Sequence, residues 1–351
     1  KSELRRSAPS KRWTIPIAAF CIAVLAANIY GVFGRIDYKD APRWRPALIQ
    51  HNVNTWLTGI EAWNIALDSL IEESTAALES DPDALIWSET SFVPSIEWHS
   101  KYRKEREKAA LIDELKEFQV KLDIPMIIGN NDGVLEAGER IDYNAALLFD
   151  GSNLVDKYRK THLVPFSEHF PYSKTFPRLM DYIQSQGTPL YAKGTEYTVF
   201  DLSPWDGPMV SSYICFEDTF GYIARNFVQA GAQVMVNITN DSWSPEPACA
   251  IQHMTMAVFR AVENRRSLMR ATTAGITCVV DPNGKVIQKI EPFTQGHIIG
   301  DVPIYTGKTT LYTRWGDWFE KVILALAIPV LISALALTVI RREKRELEET
   351  R

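Results

Sequence analysis

A carboxylate, an ammonium and a thiol stand in three short motifs of this 351-residue chain. Glu89 lies in Trp87-Ser88-Glu89-Thr90, Lys160 in Tyr158-Arg159-Lys160-Thr161-His162-Leu163-Val164-Pro165-Phe166, and Cys215 in Tyr213-Ile214-Cys215-Phe216-Glu217. Each motif falls where a strand is expected to end. A thiol becomes a nucleophile only when a neighbour takes its proton, and a developing oxyanion needs a cationic or hydrogen-bonding partner. Glu, Lys and Cys cover those roles with neither metal nor cofactor. The chemistry is acyl transfer through a thioester.

Taken singly, each residue has a plainer explanation. A cysteine at a strand end is commonly buried and inert, Lys160 sits beside Lys157 and Arg159 in a basic stretch, and a glutamate after a short apolar run is commonly a loop carboxylate. Their coincidence assigns Cys215 as nucleophile, Glu89 as general base, and Lys160 with the backbone N–H of Phe216 as partners of the oxyanion. Glu168 and Glu217 are left with two roles, at the reacting centre or in ion pairs that orient Lys160. Asn144 either hydrogen-bonds near the site or simply begins a strand. His162 is expected to be structural.

The elements that must position these groups are readable in outline. Strand-like apolar runs occur at Ala47–Val53, Ala84–Trp87, Pro125–Gly129, Ala145–Asp150, Met209–Cys215, Val234–Thr239, Ile276–Val280 and His297–Val302. Between several of them lie amphipathic stretches, Trp56–Leu78, Tyr102–Leu122, Thr219–Ala230 and Ile251–Asn264, with apolar residues at three- and four-residue spacing. Strands covered on one face by helices and on the other by a second sheet read this way. Asp150-Gly151 signals a turn, and Asn283-Gly284 between two apolar runs signals a hairpin.

Hydrophobic residues make up 46% of the chain and charged residues 23%, and the net charge of −5 without a basic stripe argues against nucleic-acid binding. Two runs are wholly uncharged, Trp13 to Gly34 and Val322 to Ile340, each of a length to span a bilayer, for which about 20 residues suffice. Lys1, Arg5, Arg6, Lys11 and Arg12 precede the first, and Arg341, Arg342, Lys344 and Arg345 follow the second. Basic flanks mark the cytoplasmic side, so both ends are expected there. The organisation expected is a cytoplasmic tail over 1–12, a transmembrane helix over 13–34, a linker over 35–45, an extracytoplasmic catalytic domain over 46–317, a second transmembrane helix over 318–340 and a cytoplasmic tail over 341–351. The four cysteines and six histidines lack metal-ligand spacing, so no metal site is expected. A Cys249–Cys278 bridge is left open.

The three motifs in their order, with Ala47-Leu48-Ile49-Gln50-His51-Asn52, Asn240-Asp241-Ser242-Trp243 and Arg270-Ala271-Thr272-Thr273-Ala274-Gly275-Ile276, resemble the nitrilase (carbon–nitrogen hydrolase) superfamily. Within it they are most similar to the bacterial apolipoprotein N-acyltransferases. The resemblance runs from about Trp44 to Pro303, and its most specific part is Lys160 to Phe166 followed by Cys215-Phe216-Glu217. It implies an α/β fold, a four-layer α-β-β-α sandwich flanked here by one transmembrane helix at each end. It implies a Glu89–Lys160–Cys215 triad, with Glu168 as a further carboxylate near the site, Glu217 as the one after the nucleophile, and Trp243 as an aromatic near the acyl pocket. Two departures stand out. Phe216 replaces the family's usual Tyr, and Asp241-Ser242-Trp243-Ser244-Pro245 replaces its usual Asp-x-Trp-Phe-Gly. The family also carries several further N-terminal membrane helices, so a chain that begins at Lys1 is expected to be a fragment.

The activity implied moves an acyl chain from a phospholipid to Cys215 and on to the α-amine of a diacylglyceryl-cysteine at a lipoprotein N-terminus. No cofactor is implied, the partners are the two lipid substrates and the membrane, and a monomer in the bacterial inner membrane with its catalytic domain on the periplasmic side is expected. A membrane-tethered amidase acting on a small amide shares the thioester step and is the alternative. A non-catalytic module that has kept the fold is a third reading, against which the intact triad argues.

Overall fold

The structure, a computed structural model, describes residues 11–349 apart from 55–56, 173–174, 177 and 179–189. Lys1, Arg5, Arg6 and the expected helix start at Trp56 lie outside the described residues. The chain divides into two compact units, Lys1–Asp40 and Ala41–Arg351. The first holds helix α1 (Lys11–Phe33). The second holds everything else and closes with α8 (Trp318–Glu349). Thr14–Phe33 (20 residues) and Trp318–Glu343 (26 residues) are long and apolar enough to cross a membrane. Their apolar side chains are exposed around the helix, Ile15, Phe20 and Leu25 in α1 and Leu326, Leu331 and Leu335 in α8. A helix apolar on all sides has no solvent face, which suits hydrocarbon rather than water.

The second unit contains two six-stranded sheets. The first pairs, in order, β13 (Gly296–Ile299), β2 (Pro46–Gln50), β3 (Ala84–Ile86), β4 (Met126–Glu136), β5 (Glu139–Asp150) and β6 (Asn153–Arg159). The second pairs β12 (Val286–Lys289), β11 (Cys278–Val280), β10 (Ser267–Thr272), β9 (Val234–Thr239), β8 (Met209–Ile214) and β7 (Val199–Asp201). The central strands β2–β3–β4 and β8–β9–β10 are parallel and the outer ones antiparallel. β1 (Arg43–Trp44) and β14 (Val302–Pro303) form a separate two-stranded ladder.

The period-two rule explains the layers. Leu48, Ile86, Ile127, Ala146 and Leu148 face the second sheet, and their alternates Ala47, Ile49, Leu85, Ile128 and Leu147 face helices α2 (Ile60–Leu78) and α4 (Arg106–Gln119). α2 buries Leu67, Leu70, Ser74 and Ala77 along one stripe. On the far side α5 (Gly221–Gln229) and α6 (Pro247–Asn264) cover the second sheet with Ile223, Ala224, Phe227, Ala257 and Ala261. Each fully buried Leu or Ile contributes about 1.5–3 kcal/mol. The result is the α-β-β-α sandwich the resemblance implied. Short helices α3 (Ile96–Lys101) and α7 (Leu311–Trp315) complete the unit.

Four strands of the two six-stranded sheets escape the apolar-run reading, β6, β7, β10 and β12, as does β1 in the small ladder. β6 alternates polar and apolar residues at a sheet edge, and β10 is wholly buried yet carries Arg270 at its centre. β4 and β5 run well beyond their apolar cores, joined by a two-residue turn in which Ala137 (φ 51°) and Gly138 (φ 90°) are both left-handed. The Asn283-Gly284 hairpin joins β11 to β12 as expected. Cys249 is exposed, Cys278 is buried, and both are free thiols, so the bridge left open by sequence does not form.

Candidate active site

Glu89 sits just past β3, Lys160 directly follows β6, and Cys215 directly follows β8. β3 and β8 belong to the parallel runs, and β6, two antiparallel steps from β4, runs in the same direction as β3, so the three ends meet at one cavity. All three line one cavity of about 610 Å³. Its polar lining also includes Asn144, Glu168, Tyr191, Asn240 and Asp241, and its apolar lining includes Val53, Leu57, Trp63, Val93, Val164 and Met256.

Lys160 is 1% exposed, and its Nζ lies 2.8 Å from Glu168 Oε1 and 3.3 Å from Glu89 Oε1. Burial works against the ammonium, but Glu89, Cys215 and Glu168 outweigh it and raise its pKa, so the lysine stays charged. Asn144 donates through Nδ2 to both carboxylates, at 2.8 Å to Glu89 Oε1 and 3.0 Å to Glu168 Oε1. The backbone N–H of Asn240 donates to Glu89 Oε2 at 3.0 Å, and that of Val164 to Glu168 Oε2 at 2.8 Å. Gly129 on β4 is the residue that lets this happen, since a Cβ there would come within 2.4 Å of Ser88 O and 2.6 Å of Glu89 Cα.

Cys215 has φ 50°, a left-handed conformation that an L-residue keeps only where its surroundings hold it. What holds it is visible. Asn237 Nδ2 donates to the Cys215 carbonyl at 3.2 Å, and the Ile214 N–H donates to Glu217 Oε2 at 2.8 Å. Burial and then Glu89 push the thiol pKa well up, against the opposing pull of Lys160. The resting sulfur is therefore a neutral thiol that needs a base.

Glu217 forms no ion pair with Lys160 among the described residues. Its Oε1 accepts from Tyr158 Oη (2.7 Å), Thr161 N (2.8 Å), Thr161 Oγ1 (3.0 Å) and His162 N (2.9 Å). It is fully buried, and burial raises its pKa. It thus ties the turn of Cys215 to the loop that carries Lys160. Glu168 does pair with Lys160. His162 stacks on Phe220 at 3.9 Å and contacts Tyr222 Oη through Nδ1 at 2.7 Å, a packing role. Phe216 packs on Phe220 with ring centroids 5.1 Å apart and lines the cavity, and Trp243, 63% exposed, lies on its wall.

Sequence reasoning missed the backbone of Asn240, Tyr191, which donates to Asn131 Oδ1 at 3.0 Å, and a group comprising Asp218, Asp241, His253 and Arg270. The last two motifs of the resemblance carried Asp241 and Arg270. Nothing local marked Tyr191 or His253.

The carbon–nitrogen hydrolase family model matches residues 35–310, and the chain belongs to that family. It is 38% identical to apolipoprotein N-acyltransferase 1 of Treponema denticola over 95% of this chain and 63% of that protein. It is 39% identical to apolipoprotein N-acyltransferase 1 of Treponema pallidum over 86% of this chain and 56% of that protein. The chain therefore spans less than two thirds of the length of these curated relatives. Among solved structures, an amidase from Nesterenkonia sp. matches with a TM-score of 0.52 and 19% identity, over 74% of this chain and 90% of that one, a likeness of fold.

Proposed function

We propose that this chain is the catalytic part of an apolipoprotein N-acyltransferase. Glu89 takes the Cys215 proton, and the sulfur attacks the ester carbonyl of a phospholipid. Lys160 and the Phe216 N–H hold the resulting oxyanion. Collapse breaks the ester C–O bond, Glu89 returns the proton to the leaving alkoxide, and a lysophospholipid departs from a Cys215 thioester. The α-amine of a lipoprotein N-terminal diacylglyceryl-cysteine then attacks the thioester carbonyl. Glu89 takes the amine's proton, the C–S bond breaks, and the proton passes to the thiolate.

The observation that carries the reading is a carboxylate, an ammonium and a thiol in the lining of one cavity that is also lined by Val53, Leu57, Trp63, Val93 and Met256. An acyl chain suits that apolar lining, and a small hydrophilic amide does not. The sequence similarity to named N-acyltransferases supports the same choice. The two apolar helices suit a domain held at a bilayer, where both lipid substrates reside and confinement supplies proximity. Basic flanks support an orientation with both ends of the chain in the cytoplasm and the domain on the outer side of the inner membrane. Incubation with a phospholipid bearing a labelled palmitoyl chain tests the reading. Wild type acquires hydroxylamine-labile label at Cys215, and Cys215→Ala acquires none. Equal labelling of both, or turnover of small amides with no labelling, overturns it.

A further inference from the structure

Behind the cysteine turn stands a second group of charged side chains that the proposed reaction does not use. Asp218 belongs to the short helix Cys215–Thr219 that carries the thiol. Asp241 follows Asn240, whose N–H holds Glu89. Two cations join them. Arg270, fully buried in β10, reaches Asp218 through Nη1 and Asp241 Oδ2 through Nη2 at 3.1 Å. His253 on α6 contacts Asp241 Oδ1 through Nδ1 at 2.6 Å, and its Nε2 lies 2.9 Å from Asp218 Oδ1, a charge contact poorly aligned for a hydrogen bond. The four side chains close a ring. A carboxylate oxygen against each ring nitrogen requires a proton on both, because a lone pair there would face an anion. Two anions and two cations then balance. Gly275 makes the room, since a Cβ there would come within 2.1 Å of Asp241 Oδ2.

We propose that His253 is a positioning residue whose imidazolium clamps the turn bearing Cys215 to the loop that holds Glu89. The inference rests on the reading of these two as nucleophile and base, and it names the device that keeps them in register. His253 lines the cavity and is the more open corner of the ring, with its side chain 16% exposed against 0% for Asp218 and Arg270. If it loses its proton, Asp218 and Asp241 share Arg270 alone and repel across the gap. The imidazole faces Asp218 from the turn, Asp241 from the loop after β9 and Arg270 from β10; beside Arg270 are the thiols of Cys278 on β11 and Cys215, and beside Asp218 are Tyr213 on β8 and Arg260 on α6. Burial and Arg270 lower the imidazole pKa, but the two carboxylates outweigh them and hold it at about 9. The clamp is closed at neutral pH.

The test is the rate of Cys215 alkylation by iodoacetamide in the full chain from pH 7 to 10, read by peptide mass spectrometry to separate it from the other thiols. His253→Gln is expected to slow alkylation at neutral pH by about ten- to hundredfold, the size of effect a misplacement of roughly 1 Å produces. Asp218→Asn combined with His253→Gln removes one anion with the cation and restores most of the rate. The wild-type rate falls below a simple thiol titration as the pH passes about 9. Unchanged alkylation in His253→Gln overturns the proposal, as does a double variant as slow as the single one. Should the variants not fold, the wild-type profile decides, and a single thiol ionisation with no break overturns it. Iodoacetamide is no acyl donor, so a chain that shows this dependence but forms no thioester from phospholipid keeps the clamp and loses only the substrate.

Discussion

Cys215 lies between two charged clusters that differ in their balance. On the cavity side Lys160 faces two carboxylates, Glu89 and Glu168, with Asn144 adding hydrogen bonds to both. Behind the turn, Asp218 and Asp241 face two cations, Arg270 and His253. The first cluster formally holds one carboxylate more than its cations, and Glu89 Oε2 takes only the Asn240 N–H among the bonds of the described residues. That oxygen retains a lone pair for a proton. The second is neutral, with every side chain in it facing two of opposite charge. An unbalanced cluster open to a cavity is equipped to move protons, and a balanced buried one is equipped to fix geometry.

The comparison can be broken from the cavity side first. Lys160→Met leaves Glu89 and Glu168 buried without their cation and is expected to cost about 3–5 kcal/mol, measured by chemical denaturation, along with all thioester formation. Retention of wild-type stability would mean that the cluster is not held by charge.

The ring behind the turn responds to pH next. The folded pKa of His253, about 9, lies above the usual imidazole value of 6.5. Its contribution is therefore fully present below about 6.5 and is lost as pH rises through about 9. That contribution is on the order of 3 kcal/mol. Thermal midpoints from pH 6 to 10 should fall across this window in wild type and less so in His253→Gln.

Glu217 joins the two clusters, and its replacement sharpens the contrast. Glu217→Gln turns an amide N–H toward backbone donors, leaving one unpaired at a cost of about 1–3 kcal/mol. Slower thioester formation with a folded protein is the expected outcome. An unaltered rate would show that Lys160 and Cys215 keep their places without this tie.

Glu89 and Cys215 were legible because each follows a strand whose apolar run stands out, as with Ala84–Ile86 before Glu89, whereas Lys160 follows the mixed strand β6 and was legible only from its motif. Glu217 was read as an ion-pair partner of Lys160 as readily as a site group, and among the described residues it makes no such ion pair. It serves backbone N–H groups, which leave no trace in residue types. β10 was passed over because Arg270 interrupts it, yet that arginine is buried for a reason only its two aspartates supply. The disulfide question was settled by distance from solvent, with one thiol outside and one within the core.

By itself the amino-acid sequence determined the alternation of strands and helices, the two apolar segments and the chemistry on offer from Glu89, Lys160 and Cys215, because periodicity and side-chain type are local properties. The tertiary structure alone decided which carboxylates pair with the lysine, which one pins the backbone, and that His253, distant along the chain from Asp218, closes a ring of charge with it and Asp241. Those outcomes depend on ångström-scale separations between strand ends, and such separations are set by how two sheets pack.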